Sequence, residues 1–563
     1  MLHISRFQAL DFIQVSRHLR SVIVTATVIV VCACTASNTT MTLNKQQYIK
    51  KRAELITKHS VQDNTFSTLR AQVKSDDLIS SEYWTWRIDQ YLYGQYPEFQ
   101  PVYNAYTQGK TFQQIYNLPA ENLESENPVP KKLPSLPQGY FTENLEGNPH
   151  RGDNFVSNNK VFITYQGHLT DPYVAIFDLQ EHSWEGPYKA AESTLSKGGR
   201  KIDSHGRPII EQDIKGHVHI VYGGHGGERE DGLNPLSIDT PHAGGRMLHV
   251  MSEKPNDITT FVQVNDISPF ASYTKSYTMA NGDIYLFTRA GTHKSPWVYY
   301  KMKSGEQHFQ PPVIITWPTP QTSNPINVDT FYINPLKVSD TEIAISYLWH
   351  ECNFNEIHDK ETYSRINAYY MKLDTTSDTF YNAQNEQLSL PITLASANKQ
   401  TLAFDSTQRD ETPFGTVPLI MDTPALAYEA RTKEYREWRM VALQNGEWQH
   451  SLPLPGTQKR TVRDQEDREI KQVQSLESID HDTAVVIYKN KQGHTVFATA
   501  KKISESQQEW KVSKTHLDLA NIRIEMDSVK DNKANTLAVI LNVKSGEAQR
   551  LYLWHDGQFF GNH

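Results

Sequence analysis

Residues 216–224 read GHVHIVYGG, a short β-type run in which apolar side chains alternate with other residues up to a tyrosine, bounded on both sides by glycine. The same pattern returns along the chain: NKVFITYQG at 159–167, GDIYLFTRAG at 282–291, TEIAISYLW at 341–349, TPALAYEA at 423–430, TAVVIYKN at 483–490 and TLAVILNVK at 536–544. Each run is followed by a second one: YVAIFDL, MLHVMSE, WVYYKMK, INAYYMKL, REWRMVAL, HTVFATAKK and RLYLWHDG. Each pair is closed by an aromatic residue: Trp184, Phe261, Phe309, Phe380, Trp448, Trp510 and Phe559. Units of roughly 50 to 75 residues built this way are small sheets that must stack on one another to bury both faces. The expectation is all-β: a seven-bladed β-propeller in which the tyrosine run is the inner strand of each blade and the loops at one end converge on a ligand site.

The chain has 563 residues, 38% of them apolar and 10% aromatic, which fits a repeat architecture better than one ordinary domain and excludes disorder. Its net charge of −8, without long runs of one sign, argues against nucleic-acid binding, so an anionic ligand needs a local basic cleft. Arg6, Arg17, His18 and Arg20 precede an apolar stretch from Val22 to Val31, the layout of an export signal. That stretch runs into Val-Cys-Ala-Cys at 31–34, which resembles a bacterial lipobox. Residues 1–33 are therefore expected to be a lipoprotein signal peptide, Cys34 the lipidated residue, and the mature protein an exported outer-membrane lipoprotein held to the membrane by its lipid. Residues 34–132 form a helical N-terminal region and linker, ending in the prolines 128, 130, 134 and 137 that no helix or central strand tolerates. The propeller is assigned to 133–563, and the chain is expected to act as a monomer.

Two loops concentrate chemistry. DSHGRP places His205 before, and YGGHGGE places His225 after, a segment that turns at Ile214-Lys215-Gly216; a chain going out and back across that turn brings both histidines to one end. The glycines around His225 allow positive φ and close backbone approach to a ligand. In SYTKSYTMANGDIYLFTRAG, Tyr273 and Arg289 flank a second out-and-back segment, and Arg289 stands in an otherwise apolar strand, where a charge must be paired or face the channel. The plain alternatives are exposed loop histidines and a structural ion pair.

These loops resemble BNR-type propeller proteins, and within them the ulvan lyases of polysaccharide lyase families 24 and 25. The spacing of twenty residues between His205 and His225, and of sixteen between Tyr273 and Arg289, suits family 25 better. The resemblance covers the propeller and implies β-elimination at the uronic acid of ulvan, a sulfated rhamnose and uronic-acid polymer. It implies that His205, His225, Tyr273 and Arg289 are catalytic and that Tyr332 contacts substrate. Arg289 would neutralise the uronate, His225 would share that role, and His205 and Tyr273 would serve as base and acid in either order, or Tyr273 as both, according to whether the uronic acid is glucuronic or iduronic. Arg246 and Lys275 are candidates for binding sulfate, or are surface charges.

In LWHECNFNEIH, His350, Cys352 and His358 fall within nine residues, and thiolate and imidazole are preferred zinc ligands. The resemblance implies a structural Zn2+ here, away from the chemistry; the alternative is a buried unmetallated cysteine. No organic cofactor is expected. The repeated boxes of a sialidase are absent from the sequence. The rival functions are a non-catalytic surface glycan-binding propeller, since Tyr, Trp and Arg serve recognition equally well, and a lyase on another uronic-acid polysaccharide.

Overall fold

The computed structural model describes residues 136–561, apart from 144, 146–153, 196–202, 233, 238–243, 322–327, 352–364, 408–411, 432–435, 453–461, 505–508, 532–535 and 546–547. The proposed signal, Cys34 and the helical region lie outside the described residues, as do Cys352 and His358.

Seven sheets follow one another along the chain, antiparallel throughout except where Val462–Arg463 pairs parallel to Glu509–Leu519 in the sixth. Blade 1 runs from Phe155–Ser157 to Ser183–Lys189, blade 2 from Ile209–Gln212 to Phe261–Val264, and blade 3 from Ser272–Thr278 to Val313–Thr316. Blade 4 is built on Val328–Lys337, Glu342–His350 and Arg365–Asp374. Blade 5 begins at Thr412–Pro418, blade 6 is built around Thr483–Lys489, and blade 7 ends at Gln558–Phe560. The fold is a seven-bladed β-propeller. A single α-helix among the described residues, Leu394–Gln400, lies in the blade 4 region.

The tyrosine run is not the inner strand that the sequence pattern led us to expect, but the second long strand of each blade. Val218–Tyr222 in blade 2, for example, pairs with Ile209–Gln212 on one side and Leu248–Ser252 on the other. The first strands are the inner ones, because those of adjacent blades touch: Ile209–Gln212 meets Ser272–Thr278, Val328–Lys337 meets Thr412–Pro418, and Arg523–Asp531 meets Phe155–Ser157. Their mutual contacts are polar. Ser276 Oγ and Thr278 Oγ1 each donate to Glu211 at 2.7 Å, Lys275 Nζ donates to Asn334 Oδ1 at 2.7 Å, and Ser528 Oγ donates to Glu477 at 2.8 Å. Where a first strand's neighbours are hydrogen-bonding groups, as along Ser272–Thr278, apolar alternation is lost, so hydrophobic periodicity finds the second and third strands more readily than the first.

The core lies between blades, and the two-residue period of each strand feeds both sides. Val218, Ile220 and Tyr222 pack on Phe162, Val174 and Ile176 of blade 1. Val221 faces the other way, onto Leu286 and Tyr300 of blade 3. Between blades 3 and 4 the packing is mostly aromatic, with Tyr285, Phe287, Trp297 and Tyr299 against Tyr347, Trp349 and Tyr369. Burying each such side chain contributes roughly 1.5–3 kcal/mol.

The ring is closed by residues preceding blade 1. Phe141 N donates to Leu551 O at 2.9 Å and Leu551 N donates to Thr142 O at 3.0 Å, so this segment pairs with a strand of blade 7. Tyr552 OH donates to Pro137 O at 2.7 Å, and the Arg550 guanidinium lies 4.0 Å from the Tyr140 ring centre. Leu136 and Tyr140 join the blade 7 core, while Phe141 and Leu145 join the core between blades 7 and 1.

Candidate active site

At one end of the ring meet the starts of first strands and the ends of second strands. His205 sits in the short turn Ser204–Gly206 just before blade 2, and His225 just after that blade's second strand. The hairpin between them, with Ile209 opposite Val221 and Gln212 opposite Val218, returns the chain to its starting end. The two imidazoles stack with centres 3.7 Å apart and planes 9° apart.

Glycines around His225 take the positive φ expected of them, and they also allow the backbone to pack closely. A Cβ on Gly206 would lie 2.4 Å from Gly224 N, and one on Gly224 would lie 2.1 Å from Ala271 O; Gly223 has a φ of +91°. They let three stretches of backbone close on one another, with Gly223 N donating to Gly206 O at 2.7 Å. That closure presses one histidine onto the other.

Between the two rings and the turn stands Asp203, which the sequence pattern does not single out. Its Oδ1 lies 2.5 Å from His205 Nδ1 and its Oδ2 lies 2.5 Å from His225 Nδ1, while Oδ1 also accepts from His205 N at 2.8 Å. The signal present in the sequence is an aspartate two residues before a loop histidine, a common capping position. Burial favours the neutral acid, but the hydrogen bonds from both histidines and their charges override it and hold the carboxyl well below the usual range. Burial also lowers His225, helped by His205 and Arg289 and opposed by Asp203. Asp203, His205 and His225 are the group among the described residues whose ligand atoms lie close enough to share a metal ion.

Tyr273 is the second residue of the first strand of blade 3, with its ring centre 4.6 Å from that of His205. Its φ is +55°, the left-handed region that non-glycine residues seldom occupy, and it falls where pairing with the second strand slips out of register. Such strain is held only when the surroundings over-determine it. Burial pushes the Tyr273 phenol up, against the pull of Arg289 and Arg365.

Arg289 ends the second strand of blade 3 and is 2% exposed. Its Nε donates to Ser272 Oγ and to Gly291 O, each at 3.2 Å, and its guanidinium carbon stands 4.7 Å from the Tyr273 ring centre and 5.8 Å from that of Tyr332. Its two Nη groups have no acceptor among the described residues. Tyr332, in the first strand of blade 4, is flanked on another side by Arg365 at 4.8 Å. Arg365 in turn stacks on Phe414 at 4.1 Å, and Phe414 also meets Arg431 of blade 5. Apart from Tyr332, which the resemblance singled out, this arginine and aromatic row leaves no mark in the sequence, because its members come from separate blades.

The remaining candidates are placed as follows. Lys275 lies inside the channel, its ammonium bonded to Asn334 and its pKa brought down to about 8 by burial. Arg246 is partly exposed and paired to Asp231 at 2.6 Å. His350 is buried, with its ring edge-on to Tyr332 at 5.5 Å. Near it in blade 3, His293 is held well below its usual pKa by burial, and its Nε2 is buried without a partner among the described residues.

Residues 161–413 match the family described as BNR repeat-containing family member. The chain is 36% identical over 275 residues to a protein named Ulvan Lyase-PL25 from Pseudoalteromonas sp. (strain PLSV), a match over 47% of this chain and 55% of that one. It is also 36% identical over 292 residues to an ulvan lyase from Alteromonas sp. (strain LOR), over 50% of this chain and 59% of that one. The chain thus spans little more than half the length of these curated relatives. A solved structure titled as a new family of polysaccharide lyase, PL25 ulvan lyase, aligns with a TM-score of 0.59 and 27% identity, over 75% of this chain and 96% of that one. A second structure of that lyase, with the same score and coverage, is titled as bound to -[GlcA(1-4)Rha3S]-.

Proposed function

We propose that this chain is a polysaccharide lyase that cleaves ulvan by β-elimination at the uronic acid. The observation that carries the reading is the buried Arg289, whose fork opens on the side where Tyr273 and the stacked His205–His225 pair stand. The resemblance to ulvan lyases supports the choice of polymer.

Elimination removes the proton on C5 of the uronate, forms the C4–C5 double bond and breaks the bond from C4 to its oxygen, which leaves with a proton. The C5 proton is barely acidic until the adjacent carboxylate is neutralised. Arg289 suits that role, because its fork matches a carboxylate and it never loses its charge. A neutral histidine of the pair takes the C5 proton. Tyr273, kept protonated by its burial and in contact with His205, supplies the proton to the leaving oxygen. Tyr332 offers a ring face between Arg289 and Arg365 for a neighbouring sugar.

A structural zinc belongs to this reading, with His350 beside Tyr332 as one of its donors and Cys352 and His358 outside the described residues. His350 and the unpartnered Nε2 of His293 would hold it together with Cys352 and His358, and such an ion supplies rigidity to the loop ends. Cys34 would carry the lipid that keeps the enzyme at the outer membrane.

The test is ultraviolet absorbance of the unsaturated uronyl product while protein lacking residues 1–33 is incubated with ulvan and with other uronic-acid polymers. A rise on ulvan supports the reading. Retention of ulvan without any rise, by folded and zinc-replete protein, refutes it in favour of a glycan-binding propeller.

A further inference from the structure

We infer that Asp203 is a positioning residue that fixes both active-site histidines as Nδ1–H tautomers, so that their two Nε2 atoms form one proton-accepting unit turned toward the substrate. The catalytic part of this inference rests on the lyase reading; the tautomer part does not.

Hydrogen-bonding capacity decides the tautomers. An ionised carboxylate only accepts, so a ring nitrogen 2.5 Å from each of its oxygens must carry a proton. With Nδ1 protonated, a neutral imidazole has its lone pair on Nε2. The rings are stacked 9° from parallel and both Nδ1 atoms point to one carboxylate, so both Nε2 edges are turned away from Asp203. One acid thereby orients two bases.

The stacking limits what the pair can hold. Two imidazolium rings 3.7 Å apart repel, and one carboxylate compensates one charge, so the pair takes up a single proton readily and a second only with difficulty. The other titratable groups facing it are Tyr273, Arg289 and His293, with Arg207 beyond Tyr273. None is a second carboxylate, so Asp203 is the group that makes a protonated pair tolerable.

A metal ion held by the same three residues is the competing reading. An ion bound to both Nδ1 atoms would need their lone pairs, whereas both sit at hydrogen-bond distance from the carboxylate oxygens; an ion on the two Nε2 atoms would keep the same tautomers, and metal analysis tells it apart.

Asp203→Asn is the direct test. The amide accepts from one ring but donates to the other, turning that ring to the Nε2–H tautomer. The expected loss in kcat/KM is roughly 10²–10⁴-fold, the range for a general base. Removing the negative charge also makes the remaining base harder to protonate, so the acid limb of the kcat/KM profile moves to lower pH. Nitrogen NMR of labelled imidazoles in the wild-type protein, assigned with His205→Gln and His225→Gln, should show both rings as Nδ1–H above neutral pH. That measurement needs neither activity nor a folded Asp203 variant. Either ring found as Nε2–H in wild type, an unmoved pH profile in a folded Asp203→Asn, or loss of one bound metal ion per chain in that variant overturns the inference. A wild-type protein that makes no unsaturated product sinks the lyase reading and leaves the NMR result to decide the tautomers.

Discussion

Arg289→Lys separates charge from geometry at the centre of the proposed chemistry. Lysine keeps the positive charge but gives up the planar fork and the Nε bonds to Ser272 Oγ and Gly291 O. Those two acceptors are not stranded, because Ser272 Oγ donates to Gly291 O at 2.5 Å without the arginine. The stability cost is therefore one three-centre hydrogen bond from a charged donor, about 1.5–3 kcal/mol, within what a domain of ordinary stability tolerates. The catalytic cost is larger. Losing one donor aimed at developing charge in a buried site costs about 3–4 kcal/mol, or roughly 10²–10³ in kcat. Initial rates of unsaturated product on ulvan, alongside thermal unfolding, measure both quantities. A folded Arg289→Lys whose kcat/KM stays within about threefold of wild type has lost under 1 kcal/mol of transition-state stabilisation, and that result refutes the role given to the guanidinium fork.

Tyr273→Phe keeps the ring against His205 and Arg289 but removes the acid; kcat should fall by roughly 10²–10⁴, with melting temperature nearly unchanged. Arg365→Ala should weaken KM for the polymer more than it lowers kcat, since Arg365 stacks on Tyr332 and Phe414 and not on the histidines; equal loss in both would move it into the chemistry. His516 is lowered to about 4 by burial, with help from Lys514, so the unfolded chain binds its proton first as pH falls below about 6.5. Stability is lost from there down to about pH 4, and His516→Gln should show a shallower decline over that window by thermal melting. Removing residues 1–145 strips Leu136, Tyr140, Phe141 and Leu145 from the seam, roughly 6–12 kcal/mol of burial, so the shortened chain should not give a cooperative unfolding transition by calorimetry.

How much of this was legible in the sequence depends on what each element packs against. Strands buried on both faces, such as Ile284–Arg289 and Thr483–Lys489, announce themselves as apolar runs. The inner strands do not: Ser272–Thr278 reads SYTKSYT because its neighbours are Glu211, Asn334 and a backbone carbonyl. At the site, His205, His225, Tyr273 and Arg289 come together because two hairpins each return the chain to one end, a feature the turn residues reveal. Asp203 escaped notice because what marks it is contact with two side chains twenty residues apart. The left-handed backbone of Tyr273 has no residue signature at all, since tyrosine is not a residue that prefers it.

The extent of the likenesses has a physical reading. The BNR match, 161–413, begins in the second strand of blade 1 and stops as blade 5 begins, whereas the PL25 structure aligns over 75% of the chain. Asp203, His205, His225, Tyr273, Arg289, Tyr332, Arg365 and His350 all fall inside the matched stretch. Blades 1–4 must hold particular groups within hydrogen-bond distance of one another, which restricts the residues, the turn lengths and even glycines such as Gly206 and Gly224. Blades 5–7 have mainly to alternate apolar and polar side chains and to meet the segment at Tyr140–Thr142, a demand many sequences satisfy. Phe414 and Arg431 stand just past the match, on the far side of Arg365 from Tyr332. Under the lyase proposal a sugar reaching them would lie beyond the groups assigned to the chemistry, so substitution of Phe414 or Arg431 is expected to change substrate preference more than the reaction.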